Sequence, residues 1–232
     1  MRALILAGGE GSRLAPLTGG LPKCLVAVQG RPFVEHQIEL FRAQGLVDFV
    51  LCVGVSADAI QKALGQGDRL GVSISYSVEM IPLGTAGAVK NASRFVESSF
   101  LCANGDTLVE FSLSQMIERH AETEALITIL TKEVSDASGK GTVLTAEDGR
   151  VVSFVEKSVA AGAAQVNCGV YVVEKEVLNS IPAGKQVSLE TETFPRLLGK
   201  GARLFSFATT GTFLDIGTPE QYLAVKEKGW RQ

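Results

Sequence analysis

The sequence is poor in the residues that build redox or transition-metal centres. It has four cysteines and two histidines in 232 residues. Cys24, Cys52, Cys102 and Cys168 lie far apart with no Cys-x-x-Cys pair, which argues against a zinc site or a disulfide framework. Cys52 and Cys102 sit in apolar runs, where reduced and buried thiols acting as small hydrophobes are expected. His36 and His120 fall on separate helical patterns without a partner at ligand spacing, so both read as structural or solvated. A charge of one sign is also lacking. Lys and Arg number 22 against 25 Asp and Glu, a net charge of −3, which supplies no global basic field for a nucleic acid polymer. Positive charge for a phosphorylated ligand must therefore be local. No apolar run after Met1-Arg2 is long enough for a signal core or a membrane span. A soluble, cytoplasmic protein with no membrane partner is the expectation. Linkers, repeats and low-complexity stretches are missing too. The 46% hydrophobic content suffices at this length for one large core.

Two familiar phosphate loops are absent as well. Nothing matches Gly-x4-Gly-Lys-Ser/Thr, and the dinucleotide fingerprint would run Gly9, Gly11, Leu14, without its third glycine. In their place a short apolar run, Ala3 to Ala7, reads as a buried strand that ends in Gly8, Gly9 and Gly11, with Arg13 and then Lys23 following. Glycines let backbone N–H groups approach a phosphate, and the two cations neutralise what amides cannot. A glycine turn without a ligand would explain the glycines alone; Arg13 and Lys23 on the same loop favour phosphate.

Strand and helix patterns alternate through the first half. Strands are expected at 48–53, 72–77 and 99–103, and helices at 33–44, 58–64 and 85–96. Such alternation implies an α/β fold with a mostly parallel sheet covered on both faces. Beyond a strand at 126–130, segments 141–146 and 151–156 read as a hairpin, 166–173 as a strand, and 189–198 as a helix interrupted or started at Pro195. Near the end, Thr218 can cap a helix that Pro219 opens, which leaves Asp215 at the end of a short strand, 213–215.

Leu-Ala-Gly-Gly-x-Gly-x-Arg-Leu-x-Pro-Leu-Thr followed by Pro-Lys resembles the opening signature of the sugar-1-phosphate nucleotidyltransferases. Pro82-Leu83-Gly84-Thr85-Ala86-Gly87, Asn104-Gly105-Asp106, Phe154-Val155-Glu156-Lys157, Asn167-Cys168-Gly169-Val170-Tyr171 and Asp215-Ile216-Gly217-Thr218-Pro219 follow in the family's order and span nearly the whole chain. The resemblance implies a Rossmann-like, mostly parallel mixed sheet flanked by helices. It would form a single domain over 1–232, with a nucleotide-binding half at roughly 1–110 and a sugar-binding half at 111–232. It also implies that a sugar 1-phosphate attacks the α-phosphorus of a nucleoside triphosphate and releases pyrophosphate. The chain ends soon after Trp230, so the repeat-rich β-helix that some relatives carry is not expected.

The attacking oxygen is already ionised, so catalysis would rest on positioning and electrostatics rather than on a strong base. By resemblance, Arg13 and Lys23 grip the triphosphate, and loss of one such contact costs on the order of 3 kcal/mol. Asp106 and Asp215 would hold Mg²⁺ between the two substrates, since Mg²⁺ commonly takes one or two carboxylates plus phosphate oxygens. In isolation these aspartates read equally well as a turn residue and a helix-entry residue. Lys157 would meet the sugar phosphate. Gly141, Glu156 and Asn167 would meet the sugar, with Lys185 and Glu190 as weaker candidates that read equally as surface charges. Two positions depart from the pattern: Cys24 follows Pro-Lys where proline is commoner, and Lys140 replaces an aromatic beside Gly141.

Base choice would rest on Leu6, Ala7, Gly8, Gly84, Thr85 and above all Glu79. Guanine offers adjacent N1–H and N2–H₂ donors that one carboxylate can accept, whereas uracil and thymine suit glutamine better. If Glu79 points into the site, GTP is favoured; a strand-end glutamate in solvent is the alternative. The expected product is a GDP-sugar of heptose or mannose type, with UDP- or dTDP-sugar synthesis as the runner-up. A non-catalytic nucleotide-sugar-binding protein and a metal-dependent glycosyltransferase rank behind, because Arg13, Lys23, Asp106 and Asp215 are all retained. Homo-oligomerisation is left open.

Overall fold

The computed structural model describes residues 1–9, 11, 14–156 and 162–228. Arg13 and Lys157 lie outside the described residues. In chain order the elements are β1 (Ala3–Leu6), α1 (Ala15–Thr18), β2 (Ala27–Val28), β3 (Arg31–Pro32), α2 (Phe33–Arg42), β4 (Asp48–Val53), α3 (Ala57–Leu64), β5 (Ser73–Val78), α4 (Gly84–Asn91), β6 (Phe100–Asn104) and β7 (Thr107–Val109). They continue with α5 (Leu113–Glu122), β8 (Ile127–Val134), β9 (Thr142–Thr145), β10 (Val151–Val155), β11 (Ala164–Val173), α6 (Phe194–Gly199), β12 (Leu204–Thr209), β13 (Phe213–Asp215) and α7 (Pro219–Lys228).

The first half builds a parallel sheet, with β1 between β4 and β6 and β5 on the outer side of β4. β11 runs antiparallel to both β6 and β8, and β12 pairs parallel with β8. The β9–β10 hairpin joins β11 at Val166↔Thr142. The result is a mixed, mostly parallel α/β sheet, as the alternating patterns imply. Both faces are covered, so the inner strands read as unbroken apolar runs. Along β1, Ala3 and Ile5 join one core beneath α2, α3 and α5, while Leu4 joins the other beneath α4 and α6. The four cysteines are buried and free.

A third apolar cluster brings the end of the chain back to the beginning. Ile216, Tyr222 and Val225 pack on Leu14, Val26, Val28, Phe33 and Leu40. The two-stranded ribbon β7–β13 leads into it, with Asp215 opposite Thr107 and the Ile216 N–H donating to the Asp106 carbonyl at 3.0 Å. The pattern reading gives no bounds for α1, β2, β3, β7, α5 or β12, although it places His120 on a helical pattern. α5 is capped by the Ser112 hydroxyl and buries Leu113, Met116 and His120, and β12 forms the outer strand beside β8. Among the described residues no helix is long and apolar enough to cross a membrane.

Candidate active site

The C-terminal ends of β1, β4 and β6 open onto a cleft of about 840 Å³. This is the place where an open α/β sheet binds its ligand. Leu6, Ala7, Gly8, Gly9 and Gly11 line one wall, Gly84 and Thr85 another, and Glu79 its floor. Gly8 is required by close approach: a Cβ there would lie 2.8 Å from Glu79 Oε1. The backbone of Gly54 packs on the same carboxylate. Glu79 Oε2 is buried and has no hydrogen-bond partner among the described residues. Burial pushes the Glu79 carboxyl up, and a hydrogen bond from the Leu83 backbone offsets this only in part. Glu79 thus lines the cleft with one carboxylate oxygen buried and without a partner among the described residues.

At the other end of the cleft, a 3₁₀ turn at Lys23–Leu25 presents Lys23, whose Nζ lies 2.6 Å from Asp106 Oδ2. Gly11 stacks directly on it, with its would-be Cβ 3.4 Å from the Lys23 Cβ. The β7–β13 register sets Asp215 beside Asp106. Burial pushes the Asp215 carboxyl up, the charge of Asp106 pushes it further, and the Gly217 amide, Lys23 and Lys140 pull the other way. Two carboxylates of like charge, one of them half-buried, meet here with one lysine between them. A divalent cation would relieve that repulsion, and the all-oxygen donor pair suits Mg²⁺ with phosphate oxygens completing its shell. No group of three or more His, Cys, Asp or Glu side chains able to hold a metal occurs among the described residues.

On the far side of β6, the Asn167 N–H donates to the Gly141 carbonyl at 2.8 Å. A Cβ on Gly141 would fall 2.7 Å from Glu156 Oε2, so these three sugar-side candidates form one group. Asn167 sits where β11 slips register, and Gly169 two residues on takes φ +68. A Cβ on Gly169 would strike Asn104 Nδ2 at 2.6 Å, and Asn104 lines the cleft. Glu190 is buried beneath the group and hydrogen-bonds Thr85, Ser188 and Tyr171. Lys185 is exposed on the 182–186 loop, with its carbonyl against Gly87 of α4, apart from the Glu156 group.

Sequence patterns assign no role to three residues near the site, Asn104, Gln186 and Lys140. Asn104 is legible only as part of Asn-Gly-Asp, and Gln186 lines the cleft with no motif to mark it. Lys140, at the position where an aromatic is commoner, places a positive charge within reach of Asp215.

A glycine-walled cleft at the strand ends, with a lysine and an aspartate at one end and a second aspartate beside them, is the ligand site of an open α/β fold. The chain belongs to the nucleotidyl transferase family, whose profile matches residues 2–231. Mannose-1-phosphate guanylyltransferase of Mycobacterium tuberculosis is 35% identical over 223 residues, covering 95% of this chain and 62% of that protein. Mannose-1-phosphate guanyltransferase of Aspergillus oryzae is 37% identical over 230 residues, covering 97% and 63%. The chain thus spans somewhat less than two thirds of the length of these relatives. HddC from Yersinia pseudotuberculosis superposes with a TM-score of 0.87 at 33% identity, with 98% of each chain covered. The structure of HddC complexed with GMP-PN gives the same TM-score of 0.87 at 32% identity.

Proposed function

We propose that this protein transfers a guanylyl group from GTP to a sugar 1-phosphate of mannose or heptose type, forming a GDP-sugar and pyrophosphate. The observation that carries the reading is Glu79, a cleft-lining carboxylate with one buried oxygen left without a partner among the described residues. An ionised carboxylate there accepts the N1–H and N2–H₂ of guanine as a pair, while a uracil or thymine edge would oppose one of its acceptors to a carbonyl. The guanine nucleotide named in the HddC complex and the guanylyltransferase names of the relatives support the same choice.

In the reaction an oxygen of the sugar phosphate bonds to the α-phosphorus, the bond from that phosphorus to the bridging oxygen breaks, and the pair of electrons leaves with pyrophosphate. Lys23 sits beside Asp106 to neutralise charge on the triphosphate. Arg13 and Lys157 are proposed, by their place in the motifs, as the further cations on the triphosphate and the sugar phosphate. Asp106 and Asp215 would hold Mg²⁺, which when bound offsets the mutual repulsion of the two anions. Gly141, Glu156 and Asn167 would orient the sugar. Residues 1–110 would form the nucleotide half and 111–232 the sugar half, with the C-terminal segment returning to the first. The cytoplasm, where nucleoside triphosphates are available, is the proposed location.

The test is an assay of purified protein with Mg²⁺, each of GTP, UTP, dTTP and ATP, and a panel of sugar 1-phosphates, read by pyrophosphate release. Turnover with GTP at least tenfold above the other triphosphates is expected. Turnover with UTP or dTTP alone would overturn the base assignment. Tight nucleotide-sugar binding without turnover would make the protein a binding module.

A further inference from the structure

The cleft wall at Thr85 is joined to the Asn167 group by a largely buried set of hydroxyl groups that converge on a single carboxylate. Glu190 Oε2 accepts from the Thr85 hydroxyl at 2.7 Å and from the Ser188 hydroxyl at 3.0 Å. Its Oε1 accepts from the Tyr171 hydroxyl at 3.2 Å. Each hydroxyl is also an acceptor: Thr85 from the Leu189 N–H at 2.7 Å, Ser188 from the N–H groups of Glu190 and Thr191 at 3.1 Å, and Tyr171 from Asn167 Nδ2 at 2.8 Å. Asn167 Oδ1 in turn accepts the Gly169 N–H at 3.0 Å.

We propose that Glu190 is a positioning residue that locks the sugar-side Asn167 to the nucleotide-side Thr85 and touches neither substrate. The inference rests on the function proposed above. A hydroxyl has one proton, and all three here spend theirs on Glu190, so only an acceptor-only group completes the network. A glutamine would turn an N–H₂ toward at least one hydroxyl that has no other acceptor. The direction of the Asn167 amide follows from the same chain, because its Nδ2 is committed to Tyr171. No cation pairs with Glu190 among the described residues, although it is only 9% exposed. A dry carboxylate without a counter-ion is costly, and a partly satisfied buried network is worse than none.

The local backbone agrees. Glu190 lies on a five-residue π-helical turn, Leu189–Thr193, a widened geometry frequent at functional sites. Just before it, the Val187 carbonyl accepts the Ala86 and Gly87 N–H groups of the first turn of α4 at 2.9 and 3.2 Å. The segment is therefore fastened to the nucleotide wall by main chain and to β11 by Tyr171, whose ring is fully buried and edge-on to Phe194 at 5.2 Å.

The experiment compares Glu190→Gln and Tyr171→Phe with the wild type. It measures KM for GTP and mannose 1-phosphate, kcat, melting temperature, and equilibrium binding of each ligand. Glu190→Gln should raise both KM values at least threefold and lower kcat at least tenfold. Tyr171→Phe keeps the ring and cuts only one end of the chain, so it should raise KM for the sugar phosphate and leave that for GTP unchanged. A structural prop would instead lower the melting temperature and leave both KM values of the surviving enzyme within twofold of wild type; that result in both variants sinks the proposal. If the wild type binds both ligands without turnover, the proposed activity fails while the clamp is still judged on the binding split. Should Glu190→Gln not fold, the one-sided effect of Tyr171→Phe decides.

Discussion

Glu79 and Asp215 are carboxylates that the fold keeps partly dry. For Asp215 the folded-state value lies above the ordinary 3.8, through burial and then the charge of Asp106. The cost to stability is absent below the unfolded value, grows as the pH rises through the interval, and is complete above the folded value. Asp215→Asn removes that cost. With metal chelated, it should melt about 2–4 °C higher than wild type near neutral pH, equivalent to roughly 1 kcal/mol, and show no gain in strong acid. Turnover in the same variant should fall at least a hundredfold, since one of the two carboxylates proposed to hold the metal is gone. Calorimetry and pyrophosphate release check the two halves of this prediction; wild-type turnover would remove Asp215 from the metal assignment. Glu79→Gln should lose about ten- to a hundredfold in kcat/KM for GTP, as expected when a buried acceptor is replaced by a mismatched amide, and should narrow the gap to UTP and dTTP.

Among the elements, the slip in β11 decides where the sugar-side asparagine points. Gly169 holds φ +68 with Asn104 against its face, so Gly169→Ala meets both left-handed strain and a collision. A loss of about 2 kcal/mol is expected, read as a fall of several degrees in melting temperature together with a reduced kcat. A second element-level contact ties α2 to the 3₁₀ segment Asp68–Leu70. Burial works against the ionised Glu35 carboxyl, but hydrogen bonding and charge from Arg69, and the charge of Arg31, outweigh it and hold the group below its ordinary 4.5. This contribution is present above the unfolded value and lost as the pH falls through the folded one. The melting temperature of the wild type should therefore drop more steeply under acid than that of Arg69→Met, followed by circular dichroism. At this scale the sequence is most legible where both faces of a strand are buried. β4 is expected and found at 48–53, because a doubly covered strand needs an unbroken apolar run. α5 shows in the sequence only as a helical pattern around His120 without bounds, because its buried stripe is only Leu113, Met116 and His120 on an otherwise polar helix. The helix expected over 85–96 tightens into a 3₁₀ turn at Ala92–Phe95. The site is legible where a motif marks it, as at Asp106 and Asp215. It is not legible where packing alone assigns the residue, as at Gln186, or where partners distant in sequence set its role, as for Glu190 between Thr85 and Tyr171.

For the molecule as a whole, substrate and metal should act as ligands of the folded state alone. At a concentration of Mg²⁺ and GTP one hundred times the dissociation constant, the gain is about 2.7 kcal/mol, or roughly 5–10 °C in melting temperature. Chelation should abolish turnover and the ligand-induced shift while leaving the far-ultraviolet spectrum intact; activity in excess chelator would exclude a metal on Asp106 and Asp215. The short ribbon of β7 and β13 has a further consequence, for synthesis rather than catalysis. It pairs Asp215 with Thr107 and docks α7 on the oldest part of the chain. Leu14, at the end of the glycine loop, finds its apolar partners Ile216, Tyr222 and Val225 only once the last strand and helix are made. A chain still on the ribosome therefore leaves this loop unpacked until its final residues have emerged.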